Sequence, residues 1–280
     1  MKWRGGRLSD NVEDRRGQRV SRGAKVGGGG GLLLVLLVVL LGGDPSQVLQ
    51  LLGGARVAPG SAAAPAAPAN DDESLFMRSV LAMTEDVWSE IFAASGIEYQ
   101  EPTLVLFTDA VESGCGFTTS QTGPFYCPAD RKLYLDTSFF DQLARMGGAG
   151  DFAAAYVVGH EVGHHIQTVT GISNEVRRAQ SSARNPAEAN RLQVLMELQA
   201  DCYAGVFAHH ANRRQRVLEA GDVQEGLAAA AAIGDDRLSG GRAAPESFTH
   251  GSSDERRRWL LTGIESGSVA SCDTFGQAEG

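Results

Sequence analysis

Residues 152–165, FAAAYVVGHEVGHH, decide how the rest of the chain is read. The stretch is apolar without a break from Phe152 to Gly159, as expected of a buried helix, and Asp151 before it is a residue type that caps helices. On a helix His160 and His164 share one face, one turn apart. Two imidazoles so placed can both reach one Zn²⁺ at roughly 2.0–2.1 Å. Glu161 lies about 100° further round, near enough to act on a water at the metal without displacing a histidine. The pattern H-E-x-x-H has its meaning through this geometry. A buried histidine pair left without partners would be costly, which favours a metal between them. Gly163 has no side chain and lets a second segment come close.

A catalytic zinc needs a third protein ligand and one open position. The extended form of the motif would put a histidine at position 170, where the chain has Thr170. The ligand must then come from elsewhere. Leu192 to Phe207 is an apolar helix interrupted by Glu197 and, one turn later, Asp201. A buried carboxylate without a partner is expensive, so Glu197 is the expected third ligand. Asp201 is expected behind the metal, accepting the second ring N–H of a zinc histidine. Glu175 and Glu188 have more polar surroundings and are weaker candidates. Glu161 is the expected general base and His250 the candidate to hold a developing oxyanion. Tyr156 should pack, His165 should face away from the metal, and His209 and His210 should lie solvated at a polar helix end.

The remaining pattern reads as α+β, mostly helical with a small sheet. Helices are expected over 71–94, 138–145, 152–169, from Pro186 to about 212, over 222–233 and from Ser252, where Ser252-Ser253-Asp254-Glu255 fits a capping box. Strands are expected over 103–108 and 131–136, the second with Leu133 and Leu135 on one face and open to an added peptide strand. The four cysteines allow two disulfides. Cys115 and Cys127 bracket a glycine-rich loop, and Cys202 pairs with Cys272 by elimination.

Residues 1–26 carry eight Lys and Arg against three Asp and Glu, a net +5 that leaves −14 for the remainder. An acidic domain repels phosphate backbones, so nucleic acid is not an expected partner. The basic segment suits the inner face of a membrane. Residues 27–43 hold the run Leu32 to Leu41 between glycines, the lower limit of a single spanning anchor. With basic residues inside, the domain would lie outside the cytoplasm. The competing reading is a cleaved signal peptide, with Ser61 to Ala64 as small-residue site. Residues 44–70 have linker composition, the zinc domain is expected over 71–275, and 276–280 form a tail.

HEVGHH (160–165), MELQADCYAG (196–205) and SFTHGSSDERRRW (247–259) together resemble the bacterial neutral zinc metallopeptidase family of membrane-anchored proteins. NVEDRRG (11–17) and GPFYCPADRKLYLD (123–136) are similar to it as well. The likeness covers the basic segment, the anchor and nearly all of 71–275, and the zinc motifs resemble the wider gluzincin group, which includes thermolysin. It implies a zincin-like fold, one catalytic Zn²⁺, His160, His164 and Glu197 as ligands, Glu161 as base, and a peptide or protein substrate. Two alternatives remain at this point: a membrane-anchored scaffold with structural zinc, which would need a fourth ligand, and a zinc amidase acting on cell-wall amides.

Overall fold

The computed structural model describes residues 1–18 and 71–276. In chain order its elements begin with β1 (Val12–Asp14), α1 (Asp72–Ala94), β2 (Thr103–Phe107), β3 (Ala110–Ser113), β4 (Gly116–Thr119), β5 (Phe125–Cys127) and β6 (Lys132–Asp136). There follow α2 (Phe139–Arg145), α3 (Asp151–Val169), α4 (Ile172–Ser181), α5 (Pro186–Gln215), α6 (Asp222–Ala232), α7 (Asp235–Leu238) and α8 (Ser253–Ser266). The class is α+β, as the pattern indicated.

After Thr103 the run LVLF has no polar residue to mark an outer face, because both faces of β2 are covered. Leu104 and Leu106, with Leu133 and Leu135 of β6, enter the main core against the helices. Val105, Phe107 and Tyr134 point the other way, into a smaller cluster closed by Val111 of the β3–β4 hairpin. The sheet order is β1-β2-β6-β5, parallel except for β5, which runs antiparallel to β6. The strand at 131–136, expected to offer a free edge, is therefore interior, and β5 is the edge. Three-residue and hairpin strands between glycines have too little periodicity to be read ahead of the structure, and α4 was likewise not anticipated.

α3 runs through the core against α5, α6 and β5. Its first residue is Asp151, not its cap: the cap position is Gly150, and Glu225 Oε2 accepts the Phe152 N–H at 3.2 Å. Asp151 serves another partner, the Met1 ammonium, at 2.6 Å. Burial opposes that charge, but Asp151 and Asp222 hold the ammonium pKa above its usual value.

That contact belongs to a larger departure from the expected domain division. Residues 1–18 are part of the fold. β1 pairs with β2, Val12 opposite Leu104. Trp3 packs edge-on against Phe76 with ring centroids 5.3 Å apart. Ser9 Oγ donates to Glu85 at 2.5 Å, and Arg78 Nε donates to the Ser9 carbonyl. Arg4, Arg7 and Arg16 each meet acids at or beside α1: Asp72, Asp86, and Asp71 with Glu73. The expected anchor, 27–43, lies outside the described residues, as do 44–70 and 277–280. Among the described residues no helix is long and apolar enough to cross a membrane.

Both disulfides have the expected pairing, Cys115–Cys127 and Cys202–Cys272. The first ties the β3–β4 turn to β5. The second ties α5 to the turn Val269–Cys272 that follows α8. His209 and His210, expected to be solvated, are half-buried, with ring nitrogens 2.8 Å from the carbonyls of Ile264 and Gly267 at the end of α8. His165 faces away from His160 and His164, as expected, and fastens α3 to the sheet edge. Its Nε2–H donates to the Gln100 carbonyl at 2.5 Å and its Nδ1 accepts from the Tyr126 hydroxyl at 3.1 Å, an assignment set by the partners.

Two tests follow from this packing. Val12 is 4% exposed, so Val12→Ala should lower the unfolding free energy in urea by about 2 kcal/mol. A midpoint unchanged from the parent would mean β1 does not belong to the cooperative unit. Burial pushes the His165 pKa down to about 4, below the roughly 6.5 of an unfolded chain. The folded state thus binds fewer protons, and stability should be full above about pH 6.5 and fall toward pH 4, by on the order of 3 kcal/mol from this group. His165→Gln should flatten that decline; an identical pH profile would contradict the assignment.

Candidate metal centre

The centre is built where α3 and α5 cross. A Cβ placed on Gly163 would stand 2.9 Å from the Ala200 Cα and carbonyl oxygen, so only glycine allows the approach. The expectation for Gly163 is met. α5 starts with Pro186 at its first turn, capped by the Asn185 side chain, which accepts from the Glu188 N–H at 2.9 Å. Eleven residues on, the helix has turned Glu197 toward the histidines and, one turn later, Asp201 behind them.

Glu197 Oε2 lies 3.2 Å from His160 Nε2, and its Oε1 lies 3.5 Å from His164 Nε2. Atoms bound at 2.0–2.1 Å to one tetrahedral ion stand roughly 3.3–3.4 Å apart. The three side chains could therefore hold a single metal ion such as Zn²⁺, their ligand atoms all lying within 4.8 Å of one another, and among the described residues the group has these three members. Among the described residues one other group could hold a metal, Asp151, Asp222 and Glu225. The Met1 ammonium already sits on Asp151 and Asp222 there.

Each outer nitrogen of the histidine pair has its own partner. His160 Nδ1 donates to Asp201 Oδ1 at 2.8 Å, the role expected of Asp201. His164 Nδ1 meets Gln167 Oε1 at 2.9 Å, and Gln167 Nε2 donates to the Met196 carbonyl of α5. Both Nε2 atoms are thereby left to face Glu197. Gln193, one turn before Glu197, donates to its Oε1 at 3.0 Å. Burial raises a carboxyl pKa, but His164 and His160 outweigh it and hold Glu197 well below the usual range. Burial also lowers an imidazole pKa, yet Asp201 and Glu197 outweigh it and hold His160 above its ordinary value. For Glu161 burial prevails and raises the pKa, with the two histidines pulling against it.

Behind this layer lies a fully buried network that the sequence reading missed. Arg256 Nε donates to Asp201 Oδ2 at 2.8 Å and Nη2 donates to Oδ1 at 2.9 Å. Tyr156, expected only to pack, is buried and also donates its hydroxyl to Asp201 Oδ1 at 2.6 Å. Arg256 opens the run Arg256-Arg257-Arg258, which reads as solvated charge. The signal that could have found it is the spacing of buried positions Ser253, Arg256, Trp259, Leu260 and Gly263 along one face of α8.

The centre opens into a cleft of about 610 Å³ with Phe125, Tyr126, Phe139, Met146, Glu161 and His250 on its walls. His250 sits on a tight loop: the backbone N–H groups of Thr249, His250 and Gly251 all donate to Asp235 Oδ2 at 2.6–3.0 Å. Its ring Nδ1 lies 3.1 Å from Asp235 Oδ1, and the side chain is half exposed. The expected capping box is present before α8, Ser252 with Glu255.

Residues 1–275 match the family model described as "Putative neutral zinc metallopeptidase". Over 290 aligned residues the chain is 46% identical to "Uncharacterized protein YpfJ" of Escherichia coli (strain K12), covering 99% of this chain and 100% of that protein. It is 43% identical over 195 residues to "Uncharacterized protein Mb2605" of Mycobacterium bovis, 65% of this chain and 64% of the relative. No solved structure matches. The match spans α3, α5 and the first residues alike, and the chain belongs to the neutral zinc metallopeptidase family.

Proposed function

We propose that the chain is a zinc-dependent endopeptidase, held to a membrane, with His160, His164 and Glu197 as ligands and Glu161 as general base. The observation that carries this reading is the convergence of three donors, rather than four among the described residues, on one point at the wall of an open cleft. A scaffold with structural zinc would close the site with a fourth ligand. When bound, Zn²⁺ supplies Lewis acidity, bringing the pKa of water toward about 7 and polarising a carbonyl.

The chain's own residues supply the rest. Glu161 takes the proton of the attacking water and passes it to the departing amine. His250, steadied by Asp235, donates to the oxyanion. Asp201 holds His160 in the tautomer that presents Nε2. A peptide substrate lies extended along β5, the sheet edge bordering the cleft, where main-chain hydrogen bonds align it whatever its side chains.

The membrane part of the proposal takes its form from the N-terminal contacts. β1 and the Met1 ammonium pack within the body that contains α3 and α5. These contacts favour an attachment through 27–43 that keeps the first residues and the domain on one side, in place of the single crossing expected from the sequence. The two disulfides favour the extracytoplasmic side. Single cysteines at Asp10 and at Arg184 should react alike with an impermeant thiol reagent on intact cells. Labelling of the Arg184 position alone would support the single crossing instead.

Purified full-length chain loaded with zinc should hydrolyse a mixed peptide library, and Glu161→Gln should slow it by about 10²–10⁴-fold with zinc content unchanged. Equal hydrolysis by the two proteins would remove Glu161 from the chemistry. Hydrolysis of cell-wall amides with no peptide cleavage would assign the site to the amidase class instead.

A further inference from the structure

We propose that Arg256 is a positioning residue for the metal centre, clamping the Asp201 carboxylate so that it fixes the ring plane and tautomer of His160. The proposal rests on the metallopeptidase reading above and extends it to a residue outside the zinc motifs. Arg256 is 1% exposed, and Asp201 is fully buried. The guanidinium meets the carboxylate side-on, Nε on Oδ2 at 2.8 Å and Nη2 on Oδ1 at 2.9 Å. A planar fork engaging both oxygens removes the carboxylate's freedom to rotate, which a single donor cannot do.

The clamped oxygen is the one that matters. Oδ1 accepts from Tyr156 Oη at 2.6 Å and from His160 Nδ1 at 2.8 Å. Nη2 of Arg256 also reaches Tyr156 Oη at 3.2 Å. Three helices thus meet on one carboxylate: α3 with Tyr156 and His160, α5 with Asp201, α8 with Arg256. The placement of α8 is itself tightly set. A Cβ on Gly263 would stand 2.0 Å from the Cys202 carbonyl oxygen, so α8 and α5 touch backbone to backbone one residue from Asp201. Arg256 therefore lies on a helix packed backbone to backbone against the one that carries the acid it holds.

A merely structural ion pair would affect folding and leave the metal site alone. The test compares Arg256→Met and Arg256→Lys with the parent full-length chain after folding is checked by circular dichroism and thermal melting. Zinc affinity is read by chelator competition and ligand geometry by the visible spectrum of the cobalt-substituted protein. Zinc should bind the Met variant about 10–100-fold more weakly, with a changed cobalt spectrum. The Lys variant, which keeps the charge without the fork, should fall between the two. Should the Met variant not fold, the Lys variant carries the comparison alone. Parental zinc affinity and an unaltered spectrum in a folded variant overturn the proposal. A parent chain that binds no zinc overturns the metal reading and the proposal together, whereas zinc binding indifferent to Arg256 overturns only the proposal.

Discussion

The close crossing of α3 and α5 at Gly163 and Ala200 is the constraint on which the rest depends. A methyl group at Gly163 would meet the Ala200 backbone at 2.9 Å, and forcing the helices apart would carry Glu197 away from both imidazoles. The backbone approach therefore precedes the chemistry: four polar side chains in an apolar interior are tolerated because each finds a partner across this crossing. His160 reaches Asp201 and Glu197, His164 reaches Glu197 and Gln167, and Arg256 balances the charge of Asp201. The same low-dielectric setting that would punish an unpaired group strengthens each of these interactions.

The other elements serve to hold that crossing and to open one side of it. α1 and the sheet back the two helices with a continuous apolar core. His165 fastens α3 to β5, the edge strand of the cleft, through Tyr126. The Cys115–Cys127 bond fixes the far end of β5, and Cys202–Cys272 fixes α5 one residue past Asp201. The His165–Tyr126 contact thus joins the site helix to the cleft wall, while each disulfide secures one of the two sides.

Much of the centre was legible in the sequence because its demands are local. A one-turn spacing places His160 and His164 on one face, and two acids in an otherwise apolar helix advertise a buried use for Glu197 and Asp201. The Ser252–Glu255 capping box is equally local. What was not legible depends on partners far along the chain. The Met1 ammonium binds Asp151, 150 residues on, and Arg4 and Arg7 find acids on α1. From sequence these charges read as a free basic segment. A three-residue strand such as β1 has no periodicity to detect, and it becomes visible only beside β2. Arg256 was hidden for a related reason: three consecutive arginines look solvated until the helix phase of α8 buries the first.

The account's central claim is that two imidazoles and one carboxylate from separate helices bind one zinc and leave a position open. X-ray absorption at the zinc edge of the loaded, full-length chain tests it most directly. The account predicts one zinc per chain in a four-coordinate site of nitrogen and oxygen ligands at about 2.0–2.1 Å, without sulfur, and loss of the protein carboxylate contribution in Glu197→Ala. A site unaffected by that substitution, or one with a third imidazole or a thiolate, would contradict it.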